Sequence, residues 1–362
     1  MTATTWYAHE RDRAWTCAGP SPEALAFHRT LPGYAVTPLV DLPALAVELG
    51  VGRLLAKDES LRLGLPAFKS LGASWAIHRA LRDRDDREPV TVVTATDGNH
   101  GRAVARFARL LGHRASIWIP DGVHPSAVQA IEDEGAQVTV VGGSYDEAVA
   151  AAARAADTDG AVLVQDTAWR GYEEIPGWIV EGYSTLFAEV DAQLASAGIA
   201  CPDLVVVPVG VGSLLQAALS HYRRAGAPAR TAVLSVEPEA AACIAPSLAA
   251  GHPVTVDTGV TVMAGLNCGT PSSLAWPYVA HGLDAAVAVS DSDDVRAAHD
   301  LAAGGVAAGP CGAAALAALR VALLGVGSQD RRAHLDLDAD STVVLVVTEG
   351  SAANPVPDLE DS

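Results

Sequence analysis

The sequence predicts an α/β protein in which parallel-rich sheets are flanked by helices. From about residue 90 onward, short runs rich in β-branched residues alternate with alanine-rich stretches of helical length. The strand-like runs are apolar throughout, which is typical of parallel strands covered by helices on both faces of a sheet. Together these two observations predict the α/β class.

The predicted elements alternate regularly up to a strand near the carboxyl end of the sequence. Strands are predicted at 90–96, 116–120, 137–141, 161–167, 204–210, 231–237, 285–289 and 342–348. Helices are predicted at 102–112, 126–134, 144–156, 177–197 and 213–224, followed by two alanine-rich helices before the last strand. Ser144 and Glu147 have the spacing of a capping box, which marks the start of the helix at 144.

Composition and charge limit what the chain can do. Its 362 residues suffice for two domains, and 50% of them are hydrophobic. A formal net charge of −19 argues against nucleic-acid binding, which needs clustered lysine and arginine. No apolar run approaches the roughly 18 residues of a membrane-spanning helix, and the N-terminal stretch lacks the features of a signal peptide. We therefore expect a cytoplasmic protein that binds neither nucleic acid nor membrane.

The cysteines do not suggest a metal site. The five cysteines are scattered along the chain, and none forms a C-x-x-C pair or has paired histidines nearby. Zinc sites normally show such spacings. No metal is therefore expected.

Polar and small residues collect where the predicted strands end. Asp97, Asp166, Gly210, Glu237 and Thr348 each lie at or just past the carboxyl end of a predicted strand. Each taken alone is equally consistent with an ordinary turn. Because open parallel sheets bind their ligands at this edge, the residues together predict a binding site there.

Lys57 and Lys69 are the only lysines among 24 basic residues, and the others are arginine. Arginine can replace lysine as a cation, but it stays protonated and cannot act as a nucleophile. Lys69 lies in LPAFKSLGASWA beside Phe68 and small residues, and this setting predicts a pKa lowered by about three units. We interpret Lys69 as a reactive amine, with a purely structural buried cation as the alternative. Lys57 is expected to be solvated or ion-paired.

The stretch TATDGNHGRAVA (94–105) leads from a predicted strand through Gly98 into a helix. Successive backbone N–H groups near such a helix start form a ready site for a carboxylate or phosphate. Glycine-rich turns of this kind also occur without a ligand. Asp97, Asn99 and His100 add functional side chains to the turn, which favours a binding role.

A second strand-to-helix turn, VPVGVGSLLQAAL (207–219), is a candidate phosphate site. Gly210 and Gly212 allow close backbone approach, and Ser213 offers a hydroxyl and an N–H group. The alternative is a dinucleotide-binding fingerprint, because Glu237 ends the next strand where a ribose-binding acid would lie. The third glycine of that fingerprint is missing, since position 215 is leucine.

These features together match the needs of an enzyme that holds pyridoxal phosphate and an amino acid. A lysine can form a Schiff base with the cofactor aldehyde, and the cofactor ring then takes up electrons from the substrate. One turn would hold the cofactor phosphate, and the other would hold the substrate carboxylate. A dinucleotide-dependent oxidoreductase and a non-catalytic amino-acid-binding module are the alternatives.

Several motifs resemble those of the diaminopropionate ammonia-lyases, which are fold-type II pyridoxal-phosphate enzymes. In chain order they are AFKSLGAS, ATDGNHGR, QDTAWRGYEEIPGWIVEGY (165–183), VPVGVGS, VEP, TVMAGLNCGTPS (261–272) and VVTEG. The resemblance covers about residues 30–350. It implies a large domain made of 1–84 and 191–362, a smaller domain at 85–190, and an active site in the cleft between them. It also implies a homodimer.

The resemblance implies roles for particular residues. Lys69 would be the Schiff-base lysine next to Phe68, Asn99 would contact the 3′-oxygen of the cofactor ring, and Thr348 would face the pyridine nitrogen. Gly210, Val211, Gly212 and Ser213 would bind the phosphate. The substrate would contact Asp97, Gly98, His100 and Asp166.

The implied reaction is α,β-elimination of 2,3-diaminopropionate to pyruvate and ammonia. Lys69 would be the catalytic base for the L-isomer, and Asp97 would serve the D-isomer on the opposite face of the ring. Asp97 and Asp166 would hold or protonate the β-ammonium group. A related β-substituted amino acid such as serine or threonine is the alternative substrate.

The sequence departs from the family pattern at two places that flank the predicted pocket. Gly309 to Gly312 read GPCG where a Gly-Glu-Ser-Gly type of turn is expected, so an acid near the ring is lost. Pro66 stands where a polar residue is usual. Both departures bear on substrate choice more than on the cofactor.

Overall fold

A computed structural model describes residues 6–82, 88–96, 98–228 and 230–357, which form two helix-flanked sheets of the predicted α/β class. The strands are β1 (Trp6–Ala8), β2 (Leu39–Asp41), β3 (Arg53–Asp58), β4 (Thr91–Ala95), β5 (Arg114–Pro120), β6 (Gln137–Val141), β7 (Ala161–Leu163), β8 (Leu204–Pro208), β9 (Ala232–Pro238), β10 (Ala285–Val289) and β11 (Thr342–Val347). The helices are α1 (Glu23–His28), α2 (Pro43–Leu49), α3 (Lys69–Leu81), α4 (Asn99–Leu110), α5 (Pro125–Glu132), α6 (Tyr145–Ala156), α7 (Glu174–Ser196), α8 (Ser213–Tyr222), α9 (Ile244–Ala250), α10 (Trp276–Gly282), α11 (Asp291–Ala303), α12 (Pro310–Leu323) and α13 (Ser328–Leu335). Within the described ranges, no single helix is both long and apolar enough to cross a membrane.

The larger sheet has seven strands in the order β1-β10-β9-β8-β11-β3-β2. The central strands from β10 to β3 run parallel, whereas β1 and β2 pair antiparallel at the two edges. Alternate residues of β8 enter different cores, with Val205 and Val207 on one face and Leu204 and Val206 on the other. This explains why the strand sequence is apolar without interruption.

The smaller sheet has four parallel strands in the order β6-β5-β4-β7. Its strands all lie within residues 91–163, whereas the strands of the larger sheet lie within 6–58 and 204–347. The domain boundaries at 84/85 and 190/191 stay predictions, and helix α7 runs without a break across the second of them.

The elements predicted after residue 90 agree with the structure to within a few residues, with one exception. Strand β7 ends at Leu163, so the predicted strand at 161–167 is too long. The strands before residue 90 were not predicted, and neither were helices α1, α2, α9, α10 and α13. The capping box is confirmed, because Ser144 Oγ accepts from the Glu147 N–H at 3.4 Å and Glu147 Oε2 accepts from the Ser144 N–H at 2.7 Å.

Helices α3 and α7 approach each other closely at two glycines. A Cβ atom on Gly182 would lie 2.5 Å from the Leu71 carbonyl oxygen, and one on Gly72 would lie 2.5 Å from Tyr183 Cε1. Neither position has room for a methyl group, since close-packed interiors do not tolerate such overlap. Because α3 begins at Lys69, this crossing helps to set the position of the lysine.

A group of buried charges ties the larger sheet to helix α7. Lys57 Nζ and Arg62 Nη2 each lie 2.7 Å from Glu189 Oε2, and Arg62 Nη2 also lies 2.6 Å from Glu59 Oε1. Burial alone would raise the pKa of Glu189, but Arg62 and then Lys57 lower it to about 2. Of the two expectations for Lys57, ion pairing is therefore correct. The amine also donates to the Thr37 carbonyl oxygen at 2.9 Å.

The helix crossing predicts opposite effects for two glycines of helix α7. Gly182→Ala forces a methyl group against the α3 backbone and should lower the free energy of unfolding by about 1–3 kcal/mol. Gly177→Ala meets nothing closer than 3.9 Å, so it should raise that free energy by up to about 1 kcal/mol through helix propensity. Urea unfolding of both variants measures the difference, and equal effects would contradict the close crossing.

The buried charges predict a large cost for losing Lys57. Lys57→Met should lower the free energy of unfolding by roughly 3 kcal/mol, because it leaves a buried carboxylate with fewer partners. Arg296→Met is the matched control, since its partner Asp293 and Arg296 itself are about half exposed, and it should cost less than about 1 kcal/mol. A small effect at Lys57 would show that the pair contributes little.

The same cluster predicts a pH dependence. The pKa of Glu189 is depressed from 4.5 to about 2, so its stabilising contribution is present above about pH 4.5 and is lost as the pH falls toward 2. The difference in unfolding free energy between wild type and Glu189→Gln should therefore shrink over that window. A difference that stays constant from pH 4.5 to 2 would contradict the depressed pKa of Glu189.

Candidate active site

Lys69 and Asp166 are in direct contact although they lie 97 residues apart in the sequence. Lys69 is the first residue of helix α3, and its Nζ lies 2.6 Å from Asp166 Oδ2. Asp166 follows the end of strand β7 in the smaller sheet. A cation at a helix N-terminus is unfavourable by itself. The negative charge of Asp166 compensates for this unfavourable interaction. The sequence predicted both residues as site residues but did not predict this contact.

The pair sets the charge of both groups. Burial alone would lower the pKa of the Lys69 amine, but the carboxylate of Asp166 raises it above its ordinary value. Burial alone would raise the pKa of Asp166, but Lys69 and then His100 hold it well below its usual range. The expectation of a lowered Lys69 pKa is therefore wrong for this arrangement, because it considered only the apolar neighbours.

His100 lies against Asp166 and is almost fully buried. Its Nε2 lies 2.8 Å from the Val164 carbonyl oxygen, and its Nδ1 lies 3.9 Å from Asp166 Oδ2. Burial lowers the pKa of the imidazole, while Asp166 opposes this effect. His100 therefore packs beside Asp166 as a neutral ring, and a contact with substrate stays a prediction.

The turn before helix α4 uses part of its backbone internally. Thr96 Oγ1 accepts from the Gly98 N–H at 2.9 Å and from the Gly101 N–H at 3.1 Å. These two N–H groups therefore hold the turn together, and an anion would rely on the N–H groups of Asn99 and His100 at the helix start. The predicted catalytic residue Asp97 lies outside the described residues.

The turn from Gly210 to Ser213 forms a narrow cradle at the start of helix α8. A Cβ atom on Gly210 would lie 3.0 Å from the Gly265 carbonyl oxygen, and Gly212 has a φ of +100° that favours glycine. The Val211 carbonyl oxygen accepts from the Ser272 N–H at 2.8 Å. The Ser213 hydroxyl donates to the Asp166 carbonyl oxygen at 2.9 Å. An anion in the cradle would thus depend on backbone N–H groups of the helix start.

The end of strand β11 carries two buried polar side chains. The Thr348 hydroxyl has no hydrogen-bond partner within the described part of the chain. The Thr348 carbonyl oxygen accepts from the Phe68 N–H at 3.1 Å, which attaches the start of helix α3 to this strand. Next along the chain, Glu349 accepts a hydrogen bond from Asn99 Nδ2.

Two residues of the site were missed by sequence reasoning. Tyr183 is fully buried, and its ring centroid lies 4.6 Å from that of Phe68; burial raises the pKa of its hydroxyl, an effect that Lys69 opposes. Glu349 is the other residue. Its place directly after a strand end was a usable signal, whereas nothing in the sequence pointed to Tyr183 beyond its presence in the motif at 165–183.

Glu237 is not placed to bind a ribose. Its buried carboxylate accepts from the Cys243 N–H at 2.9 Å and the Ile244 N–H at 3.0 Å. Burial raises its pKa to about 7. Because its oxygens bond to the protein backbone, this acid gives no support to a dinucleotide site. No group of side chains suited to a metal ion occurs among the residues described.

Comparison with known proteins gives a consistent result. The family described as "Pyridoxal-phosphate dependent enzyme" matches residues 30–349. The diaminopropionate ammonia-lyase of Salmonella typhimurium is 37% identical, covering 91% of this chain and 89% of that protein. The Escherichia coli diaminopropionate ammonia-lyase structure with an aminoacrylate-PLP azomethine reaction intermediate is 33% identical with a TM-score of 0.85, covering 96% of both chains. The Escherichia coli structure with D-serine is 32% identical with a TM-score of 0.86, covering 96% of this chain and 95% of that chain.

The two lysines predict a selective label. Borohydride reduction in the presence of pyridoxal phosphate should fix the cofactor on Lys69, whose side chain is 22% exposed. Lys57 is an internal control, because its side chain is 0% exposed and its amine is held by Glu189. Peptide mass spectrometry identifies the site. Label on Lys57 would contradict the assignment, and Lys69→Ala should remove the label.

Proposed function

The chain belongs to the pyridoxal-phosphate-dependent enzyme family, with diaminopropionate ammonia-lyases as relatives over about nine-tenths of its length, and from this we propose that it converts 2,3-diaminopropionate to pyruvate and ammonia. The reaction is an α,β-elimination by a carbon-nitrogen lyase. The observation that carries the proposal is the buried Asp166 carboxylate beside Lys69, because this arrangement provides an amine for base chemistry and an anion for a cationic leaving group.

The residues of the site fit pyridoxal phosphate. The buried Thr348 hydroxyl has no partner in the described chain and is a suitable donor to an unprotonated ring nitrogen. The glycines of the 210–213 cradle leave space and backbone N–H groups for a phosphate. Lys69 would hold the cofactor aldehyde, and Phe68 and Asn99 would contact the ring. When bound, pyridoxal phosphate supplies a sink for the electron pair left by the substrate α-proton.

Asp166 holds the β-ammonium group of the substrate. Its pKa lies well below the usual range while the Lys69 ammonium lies beside it, and a β-ammonium group in the same place would likewise keep it a carboxylate that binds a cation. The sequence left both holding and protonating open, and the low pKa favours holding. The β-amine then leaves as ammonia without a proton from Asp166.

The same contact controls Lys69. Asp166 is the group that raises the Lys69 pKa against the effect of burial. Once the substrate amine has replaced Lys69 on the cofactor and the β-ammonium group lies against the carboxylate, burial would dominate and the Lys69 pKa would fall. The neutral amine then accepts the α-proton of the L-isomer. Substrate binding thus converts Lys69 into the neutral amine that the reaction needs as a base.

The D-isomer requires a base on the opposite face. We assign this role to Asp97 on the basis of the family resemblance and its place after strand β4 in the sequence. Gly98 and His100 are proposed to contact the substrate beside it.

Serine-like and threonine-like β-substituted amino acids are the alternative substrates. They are the alternative because the sequence departs from the family pattern at Pro66 and at Gly309 to Gly312, which flank the predicted pocket. We also propose that the protein is a homodimer, as the resemblance implies, and that it acts in the cytoplasm. Light scattering of the purified protein tests the dimer, and a monomer mass would overturn it.

The proposed function is tested by an assay for pyruvate and ammonia. Purified protein with pyridoxal phosphate should turn over D- or L-diaminopropionate with a kcat/KM at least ten-fold above those of serine and threonine. Asp97→Asn should abolish turnover of the D-isomer selectively. Faster turnover of serine or threonine would favour the alternative, and ligand binding without product would indicate a non-catalytic module.

Asp166→Asn separates the effect of Asp166 on the leaving group from its effect on Lys69. The variant cannot hold a β-ammonium group, so kcat/KM for diaminopropionate should fall by about 100-fold or more. β-Chloroalanine has a leaving group that needs no cation site, and its kcat/KM should fall at least ten-fold less. Steady-state kinetics with both substrates measure the ratio. Equal losses would show that Asp166 does not act on the leaving group.

A further inference from the structure

Glu349 is a buried acid that the proposed reaction does not use. Its side chain lies at the carboxyl end of strand β11, and the residue is 3% exposed. One carboxylate oxygen accepts from the Cys311 N–H at 3.2 Å, and the other accepts from Asn99 Nδ2. Both groups are hydrogen-bond donors, so each carboxylate oxygen of Glu349 acts as an acceptor.

Gly309 makes room for this carboxylate. A Cβ atom at position 309 would lie 3.1 Å from Glu349 Oε1 and 2.8 Å from the Gly350 carbonyl oxygen. The φ of Gly309 is −80°, so the backbone does not require glycine there and the restriction is one of space. The turn in which Pro310 replaces the expected glutamate thus lies against an acid from the end of strand β11.

The contact with Asn99 fixes the orientation of an amide at the site. The Asn side chain has two N–H bonds and one carbonyl oxygen. One N–H bond is used by Glu349, which turns the amide nitrogen toward Glu349 and leaves the second N–H bond to donate elsewhere. Without an acceptor at 349, the amide is free to rotate and to present its oxygen in place of its nitrogen.

We propose that Glu349 is a positioning residue that holds the Asn99 amide so that its second N–H bond donates to the ring oxygen of the cofactor. This inference rests on the proposed function, since it assumes that pyridoxal phosphate binds at this site.

The test is a double-mutant cycle on the holoenzyme. Glu349→Leu removes the acceptor, and it should weaken binding of pyridoxal phosphate roughly ten-fold and shift the absorbance maximum of the bound cofactor. In an Asn99→Ala background the same substitution should change the cofactor Kd by less than about two-fold, because the residue through which it acts is gone. An unchanged spectrum and Kd, or an equal effect in both backgrounds, would overturn the proposal.

Two further variants separate an effect on Asn99 from a general loss of stability. Glu237→Leu removes a second buried glutamate, near the end of strand β9 in the same sheet, and it should lower the melting temperature without changing the cofactor Kd or spectrum. If Glu349→Leu does not fold, Glu349→Asp shortens the acid away from Asn99 and should show the same coupling. Failure of wild-type protein to bind pyridoxal phosphate would instead overturn the proposed function.

Discussion

The ion pair between Lys69 and Asp166 is the interaction on which the site depends. It joins the first residue of a helix beside the larger sheet to the segment that follows a strand of the smaller sheet. Two buried charges of opposite sign are stable there because each offsets the cost of burying the other. The same contact determines which group carries the proton, since Asp166 raises the Lys69 pKa and Lys69 lowers that of Asp166. Structure and acid–base chemistry are thus set by one pair.

The surrounding fold keeps this pair in place. The glycine contact between helices α3 and α7 allows no extra atom, and the Phe68 N–H anchors the start of α3 to the end of strand β11. On the other side, the Ser213 hydroxyl and the His100 ring hold the segment around Asp166. Residues from strand ends and helix starts therefore converge on the amine and its carboxylate, as expected where parallel strands end.

The sequence predicted much of this arrangement, and its failures have physical causes. The buried parallel strands after residue 90 were predictable because apolar β-branched runs bear a local signal. Strand β3 (RLLAKD) has no β-branched residue, and β1 and β2 are only three residues long and pair at sheet edges. Lys69 stood out through the scarcity of lysine. The sign of its pKa shift was not predictable, because Asp166 is distant in the sequence. The relation between Gly309 and Glu349 was hidden for the same reason, since it exists only where two segments meet in space.

The most direct measurement of the central claim is the pKa of the Lys69 amine. Protein labelled with ¹⁵N-lysine and stripped of cofactor has only two Nζ signals, because the chain has two lysines, and Lys57→Arg assigns them. The account predicts that the Lys69 ammonium persists above pH 10.5, the ordinary value, and that Asp166→Asn moves its titration below that pH. A wild-type Lys69 that titrates below 10.5, or one that Asp166→Asn leaves unchanged, would contradict the account.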